Sequence, residues 1–217
     1  MRYYVSTPTS ASSLDECRRL GFGEFCCPVR GRRGQLGIRG DAPRLQHYAI
    51  DNGAWLFHTL EVAPDFGPFA AALQRYGARA DFVVAPDIVA GGAASLDLSV
   101  QWLDRCLDHA AMVLIPVQDG MVPADVVALL GARVGIFVGG STVWKWSTAE
   151  QWADVGRKAG AHVHVGRVNT RRRADFCADL GVSSADGSTV ARFSSTAHRM
   201  AAAVDPLRHR QTLIRTT

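Results

Sequence analysis

Side chains able to do chemistry follow short apolar runs at several points of the 217-residue sequence. They are Asp51 after HYAI, Asp87 after FVVAP, Gln118 after VLIPV, the pair Gly139 and Gly140 after GIFV, and Asp186 after SSA. Each has a structural explanation by itself, since Asp-Asn-Gly is ordinary turn chemistry and Asp186 suits a helix N-cap. Three carboxylates gathered in one pocket would instead raise some of their pKa values, which prepares acid, base and nucleophile roles.

The elements that must position these residues are short strands alternating with longer amphipathic segments. The predicted strands lie near Tyr3–Ser6, Glu24–Val29, His47–Ile50, Asp81–Ala85, Met112–Val117, Val134–Val138, His162–Val165 and Val182–Ala185. Continuous apolar runs are typical of parallel strands covered on both faces. The pattern predicts one compact α/β domain over residues 1–217, a (β/α)8 TIM-type barrel, whose mouth would collect the strand-end residues. A doubly wound open sheet is the alternative.

Helical patterns fill most of the gaps between the predicted strands. Leu96, Val100, Leu103 and Leu107 share one helix face that Ser95 could cap, and Ser147 with Glu150 has capping-box spacing. Further helices are predicted around Phe66–Leu73, from Pro123 to Leu130, over Arg172–Leu180 and over Ser188–Ala203.

Composition bounds the class of protein. The chain is 47% hydrophobic with a net charge of +4, has no apolar run long enough to span a membrane, and shows no secretory signal at its amino terminus. Its five cysteines form no Cys-x-x-Cys pair, which favours reduced thiols over a disulfide framework or a zinc site. We therefore expect a cytoplasmic protein without a metal or other cofactor.

Two basic segments could meet the phosphates of a nucleic acid. The first is a Gly-rich loop at about residues 30–46 that includes Arg32, Arg33 and Arg39. The second combines Arg167 with Arg171, Arg172 and Arg173 near the seventh strand, where many barrels hold phosphate. Trp144 could stack on a base. The alternatives are a solvated loop, a solvated helix start and a tryptophan packed on neighbouring helices.

In order and spacing, the segments IDNGAW, PDIV, PVQDG, FVGGS and SSADGSTVAR resemble the tRNA-guanine transglycosylases and their compact DNA-modifying relatives. The resemblance implies Asp186 as nucleophile and Asp51 as general acid and base. It also implies that Asp87, Gln118, Gly139, Gly140, Asn52 and Gly53 hold the base. The zinc-binding Cys-x-Cys-x-x-Cys motif of the tRNA enzymes is missing, which favours a DNA-directed relative of the phage or DNA-modification type.

The function implied by that resemblance is exchange of guanine in a polynucleotide, DNA rather than tRNA, for a 7-deazaguanine base through a covalent glycosyl-aspartate. The target base would have to be flipped out or single-stranded. Two alternatives remain: an N-glycosidase or base-exchange enzyme acting on free nucleosides or nucleotides, and a non-catalytic nucleic-acid-binding barrel. No membrane partner is expected, and a homodimer or partner proteins stay open.

Overall fold

The computed structural model describes residues 1–6, 8, 10–30, 36–39 and 42–205. Within these ranges the strands are Arg2–Ser6 (β1), Gly23–Cys26 (β2), Pro28–Arg30 (β3), Leu36–Ile38 (β4), Tyr48–Ile50 (β5), Phe82–Val84 (β6), Val113–Val117 (β7), Val134–Val138 (β8), Val163–Val165 (β9) and Ser184–Gly187 (β10). Eight of them close a barrel in the order β1-β10-β9-β8-β7-β6-β5-β2, and each neighbouring pair is parallel. The predicted (β/α)8 barrel is confirmed, and the open sheet is excluded because the two ends of the sheet pair with each other.

α-Helices connect the barrel strands, except between β2 and β5, where the described residues form the strands β3 and β4. In the described part of the chain they are Ala11–Arg19 (α1), Ala54–Leu60 (α2), Gly67–Tyr76 (α3), Ala93–His109 (α4), Pro123–Val126 (α5), Thr142–Ala159 (α6), Arg171–Asp179 (α7), Thr189–Arg192 (α8) and Ala197–Val204 (α9). No helix among them is both long and apolar enough to cross a membrane.

Two predicted helix caps are wrong. Ser147 lies inside α6, which begins earlier because the Ser141 side chain accepts a hydrogen bond from the Trp144 amide. Ser95 lies inside α4, where its buried hydroxyl bonds to Gln118 and to the amide of Ile88. In both cases a local capping pattern gave way to bonds made elsewhere, since a serine hydroxyl satisfies any nearby backbone or side-chain group.

The predicted strand Glu24–Val29 divides at Cys27. Its first part, β2, joins the barrel, and its second part, β3, forms an antiparallel hairpin with β4. Pro28 lacks an amide hydrogen and therefore cannot continue a central strand. Since β4 lies within the segment predicted as a basic loop at about residues 30–46, that prediction is wrong for Leu36–Ile38. Arg39, which follows β4, is exposed, and Arg32 and Arg33 lie outside the described residues.

Arg44, at the other end of that basic segment, is anchored to the barrel. Its guanidinium lies 2.7 Å from a carboxylate oxygen of Glu24, and its own amide donates to the second oxygen at 2.7 Å. The Glu24 side chain is buried, so this ion pair satisfies a charge that would otherwise be costly inside the protein. Arg44 is thus a structural residue rather than part of a free phosphate-binding surface.

Aromatic and aliphatic side chains fill the barrel interior. Tyr4, Phe25, Phe82 and Leu114 are buried there together with other residues that alternate along their strands. Because successive side chains of a strand point to opposite faces, the remaining apolar residues of the same strands pack outward against the helices. These buried side chains therefore fill the barrel beneath its mouth.

Candidate active site

A cavity of about 360 Å³ opens at the carboxyl ends of the barrel strands. Its lining comes from residues at or after several different strands: Ser6, Phe25, Cys27, Asp51, Asn52, Trp55, Asp87, Gln118, Phe137, Gly139, Gly140, Arg167, Asn169, Asp186 and Arg192, among others. Because all barrel strands point the same way, residues far apart in the chain meet here. The three strand-end carboxylates singled out from the sequence all line this one cavity.

One side of the cavity, which we call the acid wall, consists of Asp51, Asn52, Asp87 and Gln118. Asp51 follows β5, and its carboxylate accepts a hydrogen bond from the Asn52 amide at 2.9 Å. Burial, and then the negative charges of Asp186 and Asp87, raise the pKa of Asp51 to about 7. A carboxyl group in this state exchanges a proton readily near neutral pH.

Asp87 is held in place by two amide side chains. Asn52 Nδ2 donates to its Oδ1 at 2.7 Å and also to the carbonyl oxygen of Ala85, while Gln118 Nε2 lies 3.4 Å from its Oδ2. Burial raises the pKa of Asp87 to about 6, and the Asn52 hydrogen bond opposes that rise. The Gln118 amide also bonds to Ile88 and Ala90, so it is engaged behind Asp87.

The other side, which we call the donor wall, consists of the lining residues Asp186, Arg167 and Ser6, with the buried His164 behind Asp186. The Asp186 side chain is buried at the end of β10. Its Oδ1 lies 3.0 Å from His164 Nε2 and accepts from the Arg167 amide at 3.3 Å, and its Oδ2 accepts from the Ser6 hydroxyl at 3.4 Å. These donors compensate the carboxylate charge that burial would otherwise penalise.

The imidazole of His164 is fully buried inside the barrel. It packs beside the rings of Phe25 and Phe137, nearly parallel to both at interplanar angles of 15°, and those two rings also stack on each other. Apolar groups therefore surround much of the ring, while its two nitrogens bond to Ser184 and Asp186. This packing fixes the direction in which Nε2 points at Asp186.

Arg167 has a positive φ of 57°, which is uncommon for a residue with a side chain. Its guanidinium donates to the carbonyl oxygen of Gly140 and lies 4.4 Å from the centre of the Trp55 ring. Burial lowers its pKa, and the charges of Asp186 and Asp119 counteract that effect. A strained residue at the rim of a cavity is held by its surroundings and points to a functional position.

Gly140 can only be a glycine in this arrangement. Its φ is +70°, and a Cβ there would lie 2.6 Å from Asp119 Oδ2 and 2.7 Å from a ring atom of Trp144. Gly139 is less constrained, since its nearest neighbour would be the Val117 carbonyl oxygen at 3.5 Å. The glycine pair thus lets the backbone pass close to the cavity and present its carbonyl to Arg167.

Cys27 also lines the cavity, but burial raises the pKa of its thiol to about 12. The reactive form of cysteine is the thiolate, so this residue has little nucleophilic character at neutral pH. Within the described ranges, no three His, Cys, Asp or Glu side chains come together in a way that could hold a metal ion.

The structure separates the residues selected from the sequence into two groups. Those that line the cavity are Asp51, Asn52, Asp87, Gln118, Gly139, Gly140, Arg167 and Asp186. Gly53 instead precedes α2 with a φ of 81°, where its amide donates to Asp51. Trp144 packs against Trp152 of the same helix, α6, at a ring distance of 6.1 Å, and its predicted stacking on a base stays a prediction.

The cluster Arg171–Arg173 lies at the start of α7. Arg171 pairs with Asp175 at 3.5 Å, Arg173 covers the Trp146 ring at 4.8 Å, and Arg172 is exposed. None of the three appears among the cavity-lining residues. Their predicted contact with nucleic acid stays a prediction, because neither the site geometry nor any similarity tests it.

The alternation of His162 and His164 predicts residues of the core or of strand pairing, and His164 is buried and bonds to Ser184 of β10, but its contact with Asp186 does not follow from the sequence. Trp55, Phe25 and Phe137 were also missed as cavity residues, because aromatic residues in or beside strands are typical of any core.

The fold and the cavity define a (β/α)8 barrel protein with a carboxylate-lined mouth. No family model and no curated protein sequence matches the chain. Among solved structures it is similar to an open form of tryptophan synthase from M. tuberculosis, with a TM-score of 0.54, 16% identity, and coverage of 96% of this chain and 90% of that one. It is also similar to 3-hexulose-6-phosphate synthase from Salmonella typhimurium, with a TM-score of 0.53, 14% identity, and coverage of 96% and 100%.

These comparisons correct the expectation drawn from the short motifs. The structures found are a tryptophan synthase and a hexulose-phosphate synthase rather than a guanine transglycosylase, and no sequence family supports the resemblance. The predicted family and the predicted exchange of guanine for 7-deazaguanine in DNA are therefore wrong. The physical reason is that Asp, Gln and Gly at strand ends are what a (β/α)8 barrel of many different functions places at its mouth.

Proposed function

We propose that this protein is an enzyme that performs general acid–base catalysis on a small molecule held in the barrel mouth. The observation that carries the proposal is that Asp51 and Asp186 line the same cavity in contrasting surroundings. Asp51 stands among other acids, and Asp186 stands among hydrogen-bond donors. Two carboxyl groups separated in this way suit two different roles in one reaction.

Asp51 is the proton donor and acceptor in this proposal. With a pKa of about 7, it holds a proton in a substantial fraction of molecules at neutral pH and can deliver it to a leaving group. Asp186 is the charge-bearing carboxylate, oriented by His164 and by the Arg167 amide. It would stabilise positive charge on a reacting carbon or bond to that carbon directly.

The reaction type that best fits this pair is cleavage or transfer at a glycosidic bond. Such reactions build oxocarbenium character on the sugar while the leaving group takes up a proton, so they require one acid and one carboxylate on the two sides of the ring. The apolar surfaces of Phe25, Phe137 and Trp55 in the cavity favour a ring-shaped substrate. The enzyme would thus be a small-molecule glycosidase or glycosyltransferase.

A second candidate is an enzyme acting on a sugar phosphate. Arg167 and Arg192 both line the cavity, after the seventh and eighth barrel strands, where many barrels bind phosphate. One structure of similar fold is named for a sugar phosphate. One observation counts against this candidate. The backbone amides of Ser188 and Thr189, which lie in the same region, already donate to Asn169 Oδ1 and are therefore not free to bind a phosphate.

The test is a matched substrate survey. Aryl O-glycosides, nucleosides and sugar lactols are incubated with the protein, each with and without a terminal phosphate, and products are followed by mass spectrometry. Turnover of the unphosphorylated glycosides that disappears in Asp51→Asn and in Asp186→Asn supports the first candidate. Turnover restricted to the phosphorylated series, and lost in Arg167→Gln, supports the second. Activity that persists in both aspartate variants rejects the first candidate, and activity that also persists in Arg167→Gln rejects the second.

Nucleic acid as a partner remains a separate proposal. It rests on Arg171 and Arg172, which are exposed at the start of α7. Removing one phosphate-binding arginine should reduce the slope of log affinity against log salt by about 1. Arg171→Gln and Arg172→Gln are measured by fluorescence anisotropy with single-stranded and duplex DNA, with Arg157→Gln on α6 as the matched control. Equal slopes in all variants reject a role for these two arginines in binding phosphate.

A further inference from the structure

Four polar side chains form a continuous row inside the barrel. They are His162, just before β9, His164 of β9, and Ser184 and Asp186 of β10. His162 Nε2 lies 2.7 Å from Ser184 Oγ, and Ser184 Oγ lies 2.8 Å from His164 Nδ1. His164 Nε2 in turn lies 3.0 Å from Asp186 Oδ1. The row begins at the partly exposed His162 and ends at the cavity.

The geometry of parallel strands explains the row. Residues two apart on a strand point to the same face, so His162 and His164 share one face, as do Ser184 and Asp186. Ser184 is paired in register with His164 across the two strands. Two pairs of alternating polar residues on neighbouring strands thus interleave along the barrel interior, from its amino-terminal end toward its mouth.

The donors and acceptors of the row fit a single direction when Asp186 is ionised. The carboxylate only accepts, so His164 Nε2 carries the hydrogen and His164 Nδ1 accepts from the Ser184 hydroxyl. The Ser184 oxygen then accepts from His162 Nε2. Burial, followed by the neighbouring His164, lowers the pKa of His162 to about 4, so this ring is neutral at pH 7 and can both donate and accept. Asp81 is the nearby acid that opposes this shift.

We propose that His162, Ser184 and His164 form a proton relay that connects Asp186 with solvent at the amino-terminal end of the barrel. A hydronium ion gives a proton to His162 Nδ1, His162 Nε2 gives its proton to Ser184 Oγ, Ser184 gives its own to His164 Nδ1, and His164 Nε2 gives its own to Asp186 Oδ1. Four bonds to hydrogen break and four form, leaving water and a neutral carboxyl group. The reverse sequence returns the proton to solvent.

The surroundings of the row are suited to conduction along one path. Phe25 and Phe137 pack nearly parallel to the His164 ring, Phe82 lies 5.1 Å from it, and Phe82 also lies 5.4 Å from the His162 ring. The aromatic layer leaves the in-plane nitrogens as the polar groups available for transfer. A bound substrate would separate Asp186 from the solvent at the mouth of the cavity. The relay would then exchange protons between Asp186 and the solvent at the amino-terminal end of the barrel. That use in turnover rests on the proposed function, whereas conduction itself does not.

The test measures proton exchange without any substrate, so it stands apart from the search for an activity. Imidazole nitrogens are assigned by ¹⁵N NMR, and the rate at which the His164 ring hydrogen exchanges with solvent is measured. Asp186→Asn serves as the background, since an amide cannot relay a proton and its NH2 group can donate to His164 Nε2, which leaves the ring hydrogen on Nδ1. Exchange of that hydrogen along the relay must pass through Ser184, because Ser184 Oγ faces Nδ1.

Adding Ser184→Ala to Asp186→Asn should slow the exchange at His164 by at least about tenfold, because the hydroxyl link is removed. Ser184→Thr, which keeps the hydroxyl, should restore it. His162→Phe changes a partly exposed position and should also slow the exchange, which preserves the test if the buried serine variant does not fold. Ser183→Ala is the matched control, since Ser183 is exposed and bonds to the Val163 amide outside the row.

Two results overturn the proposal. One is an exchange rate at His164 that is the same with and without the Ser184 hydroxyl. The other is a His164 tautomer in the wild-type protein at neutral pH that carries its hydrogen on Nδ1, since the relay requires Nε2 to donate to the ionised Asp186.

Discussion

The acid wall and the donor wall of the cavity contain the same kind of group in opposite surroundings. On the acid wall, burial, followed by the negative charges of Asp186 and Asp87, raises the pKa of Asp51 to about 7. On the donor wall, Asp186 is more deeply buried as a residue, yet His164, Ser6 and the Arg167 amide surround it. Burial alone therefore does not decide what a carboxyl group does.

The difference between the walls comes from which backbone and side-chain groups the strands deliver beside each acid. β9 and the residues after it supply an imidazole and a backbone amide to Asp186. Asp87, after β6, supplies a second carboxylate near Asp51, and the amide side chains of Asn52 after β5 and Gln118 after β7 hold it. Contrasting environments of this kind are how one site provides an acid and a charged carboxylate at the same pH.

The largest expected effect is the loss of the charge on the donor wall. Asp186→Asn keeps the shape of the residue and its hydrogen-bond acceptor but removes the group that would stabilise or capture positive charge. Turnover of a substrate found in the survey should fall by about 10⁴- to 10⁶-fold, as for other enzymes that lose a nucleophile. Steady-state kinetics measure the fall, and circular dichroism confirms folding. A loss of less than tenfold would remove Asp186 from the mechanism.

Loss of the proton on the acid wall should have a smaller effect, about 10²- to 10⁴-fold. Wild-type activity should decline tenfold per pH unit above about pH 7, since only protonated Asp51 can act as an acid and its pKa is about 7. Asp51→Asn should lower the rate and abolish this decline. If Asp51→Asn kept the decline of activity above about pH 7, that decline would have to come from the titration of another group.

The raised pKa of Asp51 also predicts a stability difference. A carboxyl group with a folded pKa of about 7 contributes stability that is complete below its unfolded pKa and is lost as the pH rises through about 7. Asp51→Asn should therefore be more stable than the wild type by on the order of 2–4 kcal/mol at pH 8, and nearly equal at pH 4. Urea unfolding at both pH values measures this. Equal differences at the two pH values would contradict the assigned environment.

The smallest effect concerns the glycine pair that supports Arg167 on the donor wall. Gly140→Ala should destabilise the protein by about 1–3 kcal/mol, because an alanine is strained at a φ of +70° and its Cβ would meet Asp119 and Trp144. Gly139→Ala is the matched control and should cost less than about 0.5 kcal/mol. Thermal unfolding of the two variants checks the contrast, and similar melting temperatures would argue against it.

Much of the fold follows from the sequence. All eight barrel strands can be located in it, because buried parallel strands are short continuous apolar runs and their spacing leaves room for one helix each. The hairpin of β3 and β4 cannot be foreseen, since a three-residue strand beside a glycine-rich segment has no periodicity to detect. Helix starts at Ser141 and before Ser95 depend on which serine finds a partner in three dimensions.

The chain by itself determined that Asp51, Asp87 and Asp186 would meet, because the carboxyl ends of parallel barrel strands share one mouth. Only the tertiary structure decided which of these acids would be desolvated and which would be surrounded by donors. That outcome depends on strand register and on side-chain direction, as in the pairing of Ser184 with His164, and both arise from contacts between residues distant in sequence. The type of chemistry could be inferred from the residues, whereas the role of each acid required its neighbours.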